Sequence, residues 1–131
     1  MGKTFINPEE LGLEIANAIA DYTEDVVVAI EEEIDDTAEK VKEEIQSSAA
    51  WKDRTGEYRK GWTIKKENRK GETVRIIYNK NKPSLVHLLE FGHAKRGGGR
   101  VAARPHLQPA YDKYVPQMEK NIESIIKKGG G

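Results

Sequence analysis

Leu85–Ala110, LVHLLEFGHAKRGGGRVAARPHLQPA, is the stretch that divides the chain into a helix-like part before it and a helix-like part after it. It opens with an apolar run that ends at Gly92. Glycine can adopt the left-handed backbone conformation that closes a short helix or turns a chain out of a strand. Three consecutive glycines, Gly97–Gly99, follow among basic residues. The stretch therefore predicts a mobile, glycine-rich basic loop over residues 92–104.

The residues on either side of this loop indicate two further elements. Ser84 can cap a short helix, so residues 84–91 are predicted to form a short helix or an edge strand. After the loop, Pro105 fixes the first turn of a helix that is predicted over residues 105–128. The apolar positions of that helix recur at helical spacing: Tyr111, Tyr114, Met118, Ile122 and Ile125.

The N-terminal part of the chain predicts one long acidic helix over residues 7–50. Asn7 and Pro8 suit a helix N-terminus. Apolar residues then recur every three to four positions, at Leu11, Ile15, Ile19, Tyr22, Val26, Ile30, Ile34, Ala38, Val41 and Ile45. Such a helix spans ~60 Å at 1.5 Å per residue, which is more than a domain of this size can cover. Part of the helix would therefore project, bend back or pack on a neighbouring copy. If the helix is interrupted, the break is expected near residues 35–37, where aspartates can cap locally.

A β-hairpin is predicted over residues 60–79. Residues 62–66 and 72–78 are rich in β-branched and aromatic side chains, and the residues between them have turn chemistry. Together the elements predict a single α+β domain over residues 1–131. In it, a long N-terminal helix and a C-terminal helix pack on a small antiparallel β-sheet, and the glycine-rich basic loop is flexible.

Charge is divided unevenly along the chain, although its 131 residues carry no net charge. Residues 1–50 hold 3 Lys and 14 Asp or Glu, whereas residues 51–131 hold 19 Lys or Arg and 8 Asp or Glu. Such a dipolar chain suits head-to-tail association, in which the acidic face of one copy meets the basic face of the next. Neutralisation of the two halves within one monomer is the alternative, and the two can coexist.

Composition also limits the chemistry that the chain can perform. The absence of cysteine excludes disulfides, thiol chemistry and thiolate metal sites. No apolar run approaches the ~18 residues of a membrane span. The N-terminal residues also lack the charged-then-apolar pattern of a signal peptide. We therefore expect no membrane partner.

The histidines and serines form no recognisable catalytic or metal-binding pattern. His87, His93 and His106 match no known ligand spacing, and His87, inside an apolar run, is expected to pack in the core. None of the serines lies in a Gly-x-Ser-x-Gly turn. We therefore expect no enzymatic activity, no metal, no cofactor and no small-molecule substrate.

The basic loop is the candidate contact site. Its residues are Lys95, Arg96, Gly97, Gly98, Gly99 and Arg100, and their spacing differs from that of a nucleotide-binding loop. Such a loop can dock on an acidic surface of another protein, contact DNA phosphates without sequence preference, or remain solvated. Further basic residues could extend the same face: Lys65, Lys66, Arg69, Lys70, Arg75, Lys80 and Lys82.

One motif of this stretch resembles a known family. Glu90-Phe91-Gly92, a variable loop, and then Arg104-Pro105-x-Leu107-x-Pro109-Ala110 are similar to a pattern in the small head–tail joining proteins of long-tailed bacteriophages and prophages. These are also called neck, minor capsid or tail-completion proteins. A weaker resemblance lies at Thr55–Trp62. The chain departs from the family at His93 and His106, where threonine and phenylalanine are common.

The resemblance implies a structural role in the virion, as a ring-forming subunit of the head–tail junction that is in the host bacterial cytoplasm before assembly. It implies contacts with further copies of the chain, with neighbouring phage connector and tail proteins, and non-specific contacts with packaged DNA. Glu90, Phe91, Gly92, Arg104 and Pro105 would anchor the two ends of the loop, and a Glu90–Arg104 ion pair is the expected link. Two alternatives stay open: a non-specific nucleic-acid-binding module and a small host-directed regulatory protein.

Overall fold

The computed structural model describes residues 3–7, 10–16, 22–49, 51, 55–69 and 72–129. The elements follow the order β1 (Lys3–Asn7), β2 (Glu10–Ala16), α1 (Glu24–Gln46), α2 (Glu57–Lys60), β3 (Trp62–Arg69), β4 (Glu72–Asn79), α3 (Pro83–Phe91), β5 (His93–Ala94), β6 (Arg100–Val101) and α4 (Leu107–Lys127). Helices and small antiparallel sheets in one chain confirm the predicted α+β class. Residues 84–91, for which the sequence predicts a helix or a strand, lie in α3.

The main sheet has four antiparallel strands in the order β1-β2-β4-β3. β3 and β4 lie within the predicted hairpin, and β2 pairs along the other edge of β4. Ile77 of β4 lies between Leu11 of β2 and Ile64 of β3. Leu11 and Ile77 belong to the buried core, and Ile64 packs against it. This row of side chains therefore marks the face of the sheet that the helices cover.

The N-terminal segment corrects the prediction of one helix over residues 7–50. The structure places β2 there, and α1 begins only at Glu24. Leu11 and Leu13 are both buried on one face of β2, so the apolar positions of this segment also follow the strand period of two. Gly12 between them disfavours a helix. Pairing with β4 then decides in favour of the strand.

α1 runs without a break, so the interruption predicted near residues 35–37 is also wrong. The Thr23 side chain caps the helix by accepting a hydrogen bond from the N–H of Val26 at 3.3 Å, which is the role that the sequence suggests for Asn7. Asp35 does not cap locally, because its carboxylate contacts the sheet. The helix is therefore about half as long as predicted, and the sheet can cover it.

α4 packs antiparallel against α1. Lys113, near the start of α4, donates to the carboxylate of Glu44, near the end of α1, at 2.9 Å. Asn121, further along α4, donates to Glu33 at 3.0 Å. The helices bury one aliphatic core together with the sheet, and burial of this apolar surface is the main stabilising contribution to the fold. Helix residues of this core include Ile30, Ile34, Val41, Ile45, Val115, Met118 and Ile122.

A buried arginine faces α1 from the sheet. Arg75 of β4 is 3% exposed, and its guanidinium donates to the Asp35 carboxylate and to the Val74 carbonyl oxygen. Lys66 of β3 reaches the same carboxylate at 3.3 Å. Burial would raise the pKa of Asp35, but its contacts with Arg75 and then Lys66 outweigh this and lower the pKa below its usual value. The positive charge of Arg75 is therefore neutralised inside the fold.

We predict that Asp35→Asn lowers the free energy of unfolding by about 2 kcal/mol, because a neutral amide leaves the buried Arg75 without an anionic partner. Urea unfolding near pH 7 measures the effect. Asp36→Asn is the matched control, since Asp36 is largely exposed and pairs with Lys40 one helical turn away. Its replacement should change the stability by less than about 0.5 kcal/mol. Equal effects of the two substitutions would contradict the importance of the Arg75 contact.

Candidate functional site

The predicted basic loop contains a short hairpin. β5 pairs antiparallel with β6. At the tip, the N–H of Lys95 donates to the carbonyl of Gly99 at 3.0 Å, and the N–H of Gly98 donates to the carbonyl of Lys95 at 3.2 Å. Residues 92–104, for which the sequence predicts a mobile loop, therefore hold a hydrogen-bonded turn on two short strands.

The hairpin presents its cations to solvent. Lys95, Arg96 and Arg100 are all exposed. The guanidinium of Arg100 also donates to the carbonyl of Phe91 at 3.3 Å, which fixes it beside the end of α3. Because Gly97–Gly99 add no side chains, the tip offers only backbone and positive charge.

Gly92 lets the returning chain pass close to the end of α3. Its φ of 74° and ψ of 175° lie in a region that essentially only glycine adopts. A Cβ atom here would lie 2.6 Å from the carbonyl oxygen of Val101 and 2.9 Å from the nitrogen of Ala103. Both the backbone conformation and the available space therefore require glycine at this position.

Glu90 caps α4 from a distant part of the chain. Its buried carboxylate accepts hydrogen bonds from the backbone N–H groups of His106, Leu107 and Gln108 at 2.8, 2.9 and 3.1 Å. The first N–H groups of a helix have no partner within it, and a carboxylate suits the positive end of the helix dipole. Burial would raise the pKa of Glu90, but the bonds from the His106 ring and the three amides outweigh this and lower the pKa below its usual value of 4.5. Glu90 thus ties α3 to α4 as a carboxylate.

His106 is buried beside this carboxylate. Its Nδ1 lies 3.1 Å from a Glu90 oxygen and 3.0 Å from the carbonyl oxygen of Arg104. Both neighbours are acceptors, so Nδ1 carries the proton and donates. Its Nε2 lies 2.7 Å from the hydroxyl oxygen of Tyr58, which donates to it in the neutral tautomer. His106 therefore links α2 to the base of the hairpin.

Three aromatic rings surround His106. The ring centroids of Trp51, Tyr58 and Trp62 lie 5.8, 5.8 and 6.1 Å from that of the imidazole, in edge-to-face arrangements. The weaker motif of Thr55–Trp62 therefore packs against the second half of the main motif. We call Glu90, His106 and these three rings the hairpin anchor.

The two ends of the hairpin meet through the backbone and not through the predicted ion pair. The N–H of Arg104 donates to the carbonyl of Leu89 at 2.6 Å, while the Arg104 side chain is exposed. The Glu90 carboxylate binds the start of α4 instead, so the prediction of an ion pair between Glu90 and Arg104 is wrong. Among the other motif residues, Leu107 and Ala110 are buried, whereas Phe91, Pro105 and Pro109 are exposed.

The histidines differ from the sequence-based expectations. His87, which is predicted to pack in the core, is exposed on α3. His106, which the sequence presents as a departure from the family motif, lies at the centre of the anchor. The signal that could have indicated this was the aromatic residue common at that position in the family, because an aromatic residue there points to a buried ring.

The wider basic face predicted from the sequence is divided by the structure. Arg75 and Lys66 both bind Asp35, and Arg75 is inaccessible to a partner. Lys80 and Lys82 are exposed just before α3, on the chain segment that leads into the hairpin. The side chain of Arg69 and residue Lys70 lie outside the described part of the chain.

The described residues contain no group of three or more His, Cys, Asp or Glu side chains that could hold a metal ion. Among the described helices, none is both long and apolar enough to cross a membrane. The hairpin carries the exposed cations Lys95, Arg96 and Arg100, and the hairpin anchor holds its base in place. This arrangement is suited to binding a negatively charged partner.

We predict that Glu90→Gln lowers the free energy of unfolding by about 2 kcal/mol, because an amide cannot offer two acceptor oxygens to three N–H groups and the His106 ring. Urea unfolding near pH 7 measures this change. Glu123→Gln on the exposed side of α4 is the control and should change stability by less than about 0.5 kcal/mol.

The same pair of proteins gives a pH dependence for Glu90. Its pKa in the folded chain is lowered below 4.5, so its contribution is fully present above that pH and is lost as the pH falls through the folded-state pKa. The stability difference between the wild type and Glu90→Gln should therefore shrink on going from about pH 7 to about pH 3. A difference that stays constant over this range would contradict the role of the ionised carboxylate.

We predict that Gly92→Ala destabilises the fold by about 2–3 kcal/mol, because alanine must adopt a glycine-only conformation against the passing chain. Gly97→Ala tests the same change five residues away, where φ is not positive and nothing lies within 4 Å of the added Cβ. Thermal and urea unfolding of both variants measure the effect. Similar stabilities would show that the close approach at Gly92 does not constrain the fold.

A comparison with family models places part of the chain in a known family. The model described as "Bacteriophage HK97-gp10, putative tail-component" matches residues 14–92. The matched region contains Glu90-Phe91-Gly92 and ends before the hairpin. No curated protein and no solved structure was found to match the chain. Because the family model matches more than half of the 131 residues, the chain belongs to the HK97-gp10-like family of bacteriophage proteins.

Proposed function

We propose that the chain is a structural subunit of the phage head–tail junction, which assembles into a ring and joins the capsid-side connector to the tail. The observation that carries this proposal is the match to a tail-component family over a segment that ends in the Glu90-Phe91-Gly92 motif. The proposed place of action is the virion, and the chain is in the host cytoplasm before assembly.

The surfaces of the described structure support work by binding and not by catalysis. The hairpin presents Lys95, Arg96 and Arg100 on a base that Glu90 fixes in place. α1 carries a run of acidic residues, with acidic side chains at Glu24 and Asp25 in its first turn and no basic residue in its last turn. A subunit held to its neighbours through surfaces of opposite charge needs neither a substrate nor a cofactor.

Contact with packaged DNA is a second function that the exposed hairpin supports. Lys95, Arg96 and Arg100 can reach phosphate groups, and the glycines at the tip allow a close approach of the backbone. Such contacts are independent of sequence and weaken as salt rises. They would accompany the junction role, because a junction subunit lies on the path by which DNA leaves the head.

We predict that a phage lacking this protein accumulates DNA-filled heads and separate, complete tails, because the joining subunit is missing while both parts still assemble. Electron microscopy of lysates from the phage that encodes the chain measures this. Addition of the purified protein should restore joined particles. Joined virions without the protein, or the loss of the tails themselves, would contradict a role at the junction.

A further inference from the structure

The outer face of α3 is apolar and exposed. Leu85 is 37% exposed and Phe91 is 43% exposed, and Leu88 lies half-buried between them on the same side of the helix. The ring of His87 lies 5.4 Å from that of Phe91 and extends this face. Exposed large apolar side chains that share one helix face mark a contact surface more often than isolated ones do.

This apolar face belongs to a segment whose exposed charges are all positive. In residues 80–104 the exposed charged side chains are Lys80, Lys82, Lys95, Arg96, Arg100 and Arg104. The one acidic residue of the segment, Glu90, is buried and caps α4. The hydrogen bond from Arg100 to the Phe91 carbonyl places a cation directly beside the apolar face. We call the α3 face together with these cations the basic surface.

α1 carries a surface with the opposite charge. Val28 is 46% exposed, and its neighbours one helical turn away in each direction are Glu24, Asp25, Glu31 and Glu32. Within the described part of the chain, none of these four carboxylates has an ion-pair partner. We call Val28 and these carboxylates the acidic surface.

We propose that the basic surface of one copy binds the acidic surface of the next copy of the same chain. Each surface combines an apolar centre with charges of one sign, and the two signs are opposite, so each supplies what the other lacks. Val28, Leu85 and Phe91 are all exposed in the folded chain, so the two surfaces do not cover each other within one copy.

The geometry of this contact is head-to-tail. Because the two surfaces differ, each copy uses one surface toward each of its two neighbours, and the rotation between copies determines whether the chain of contacts closes into a ring. This inference rests on the proposed junction function and names the surfaces that would form the ring. Charged groups at the edges of the contact make association sensitive to salt, since the screening length is about 10 Å at 0.1 M.

Disulfide trapping tests the contact directly, because the chain has no cysteine of its own. We expect the double variant Val28→Cys/Leu85→Cys to form a ladder of covalent oligomers under mild oxidation, even when association is weak. Val28→Cys/Ile126→Cys is the matched control, since Ile126 on α4 has a similar exposure of 38%. The control should form disulfide-linked species at a rate at least roughly tenfold lower. A Val28/Leu85 pair that links no faster than the control overturns the proposal.

Reversing the charges of one surface at a time provides a second test. Light scattering measures the mass of the oligomers, either after disulfide trapping or at high protein concentration. Two charge-reversal variants are made in the Val28→Cys/Leu85→Cys protein. One carries Glu31→Lys/Glu32→Lys and the other carries Lys95→Glu/Arg96→Glu. In each variant alone, the amount of disulfide-linked oligomer should fall by roughly tenfold or more. Mixing the two should restore linked species, because each retains the surface that the other has lost. If each variant alone loses the linked oligomers and mixing the two does not restore them, the head-to-tail arrangement is overturned.

The two proposals can fail separately. If the ladder is absent but the purified protein still joins heads to tails, the surfaces named here are wrong and the junction role stands. If the ladder forms but the protein does not join heads to tails, the contact between copies is correct and the junction role is wrong.

Discussion

The carboxylate of Glu90, bound to the first three N–H groups of α4, is the contact on which the second half of the chain depends. α4 has no side-chain cap of its own, since His106 at its start makes no capping bond. The capping group comes instead from α3, across the whole basic hairpin. One side chain therefore satisfies a helix terminus, ties α3 to α4 and closes the base of the hairpin. The hairpin itself can then project without packing against the core.

The acidic and basic halves of the chain neutralise each other only in part. Asp35 and Glu44 of α1 bind cations from the sheet and from α4. These contacts lie where α1 faces the rest of the molecule. Among the carboxylates around Val28, Glu24, Asp25 and Glu32 are exposed, as are the cations of residues 80–104. Neutralisation within one monomer therefore applies to the inner side of α1, while the charges on its outer side are those of the proposed contact between copies.

β3, β4 and α4 occur where the sequence predicts strands and a helix, whereas the helix predicted over residues 7–50 is replaced by β2 at residues 10–16. In β3, β4 and α4 the local pattern and the tertiary contacts favour the same element. In residues 10–16 the spacing of Leu11 and Ile15 fits a helix and the spacing of Leu11 and Leu13 fits a strand. The partner that decides between them is β4, far along the chain. Single-residue propensity cannot contain that information, because pairing depends on a distant strand. The same reason explains the wrong prediction for Asp35. From the sequence it is predicted to cap the helix locally, but its partner in the fold is Arg75 of β4.

The hairpin region shows the same limit at the level of single side chains. Gly92 is predictable, because a required backbone conformation selects glycine locally. The role of His106 is not predictable from the local sequence, because its partners Tyr58 and Glu90 come from two other segments. The expectation of an ion pair between Glu90 and Arg104 paired the nearest opposite charges in the motif. It overlooked the unpaired N–H groups at the start of a helix, which compete for the same carboxylate.

The strand order β1-β2-β4-β3 has a consequence for the order in which the chain folds. During synthesis, β1 and β2 leave the ribosome before α1, β3 and β4 exist. α1 can form at once from local hydrogen bonds, and β3 and β4 need only a short turn to meet. β2 must wait for β4 and keeps an unpaired edge until it docks. We therefore expect the pairing between the two central strands to form last in the sheet. We also expect the nascent protein to be most open to mispairing with another chain along β2.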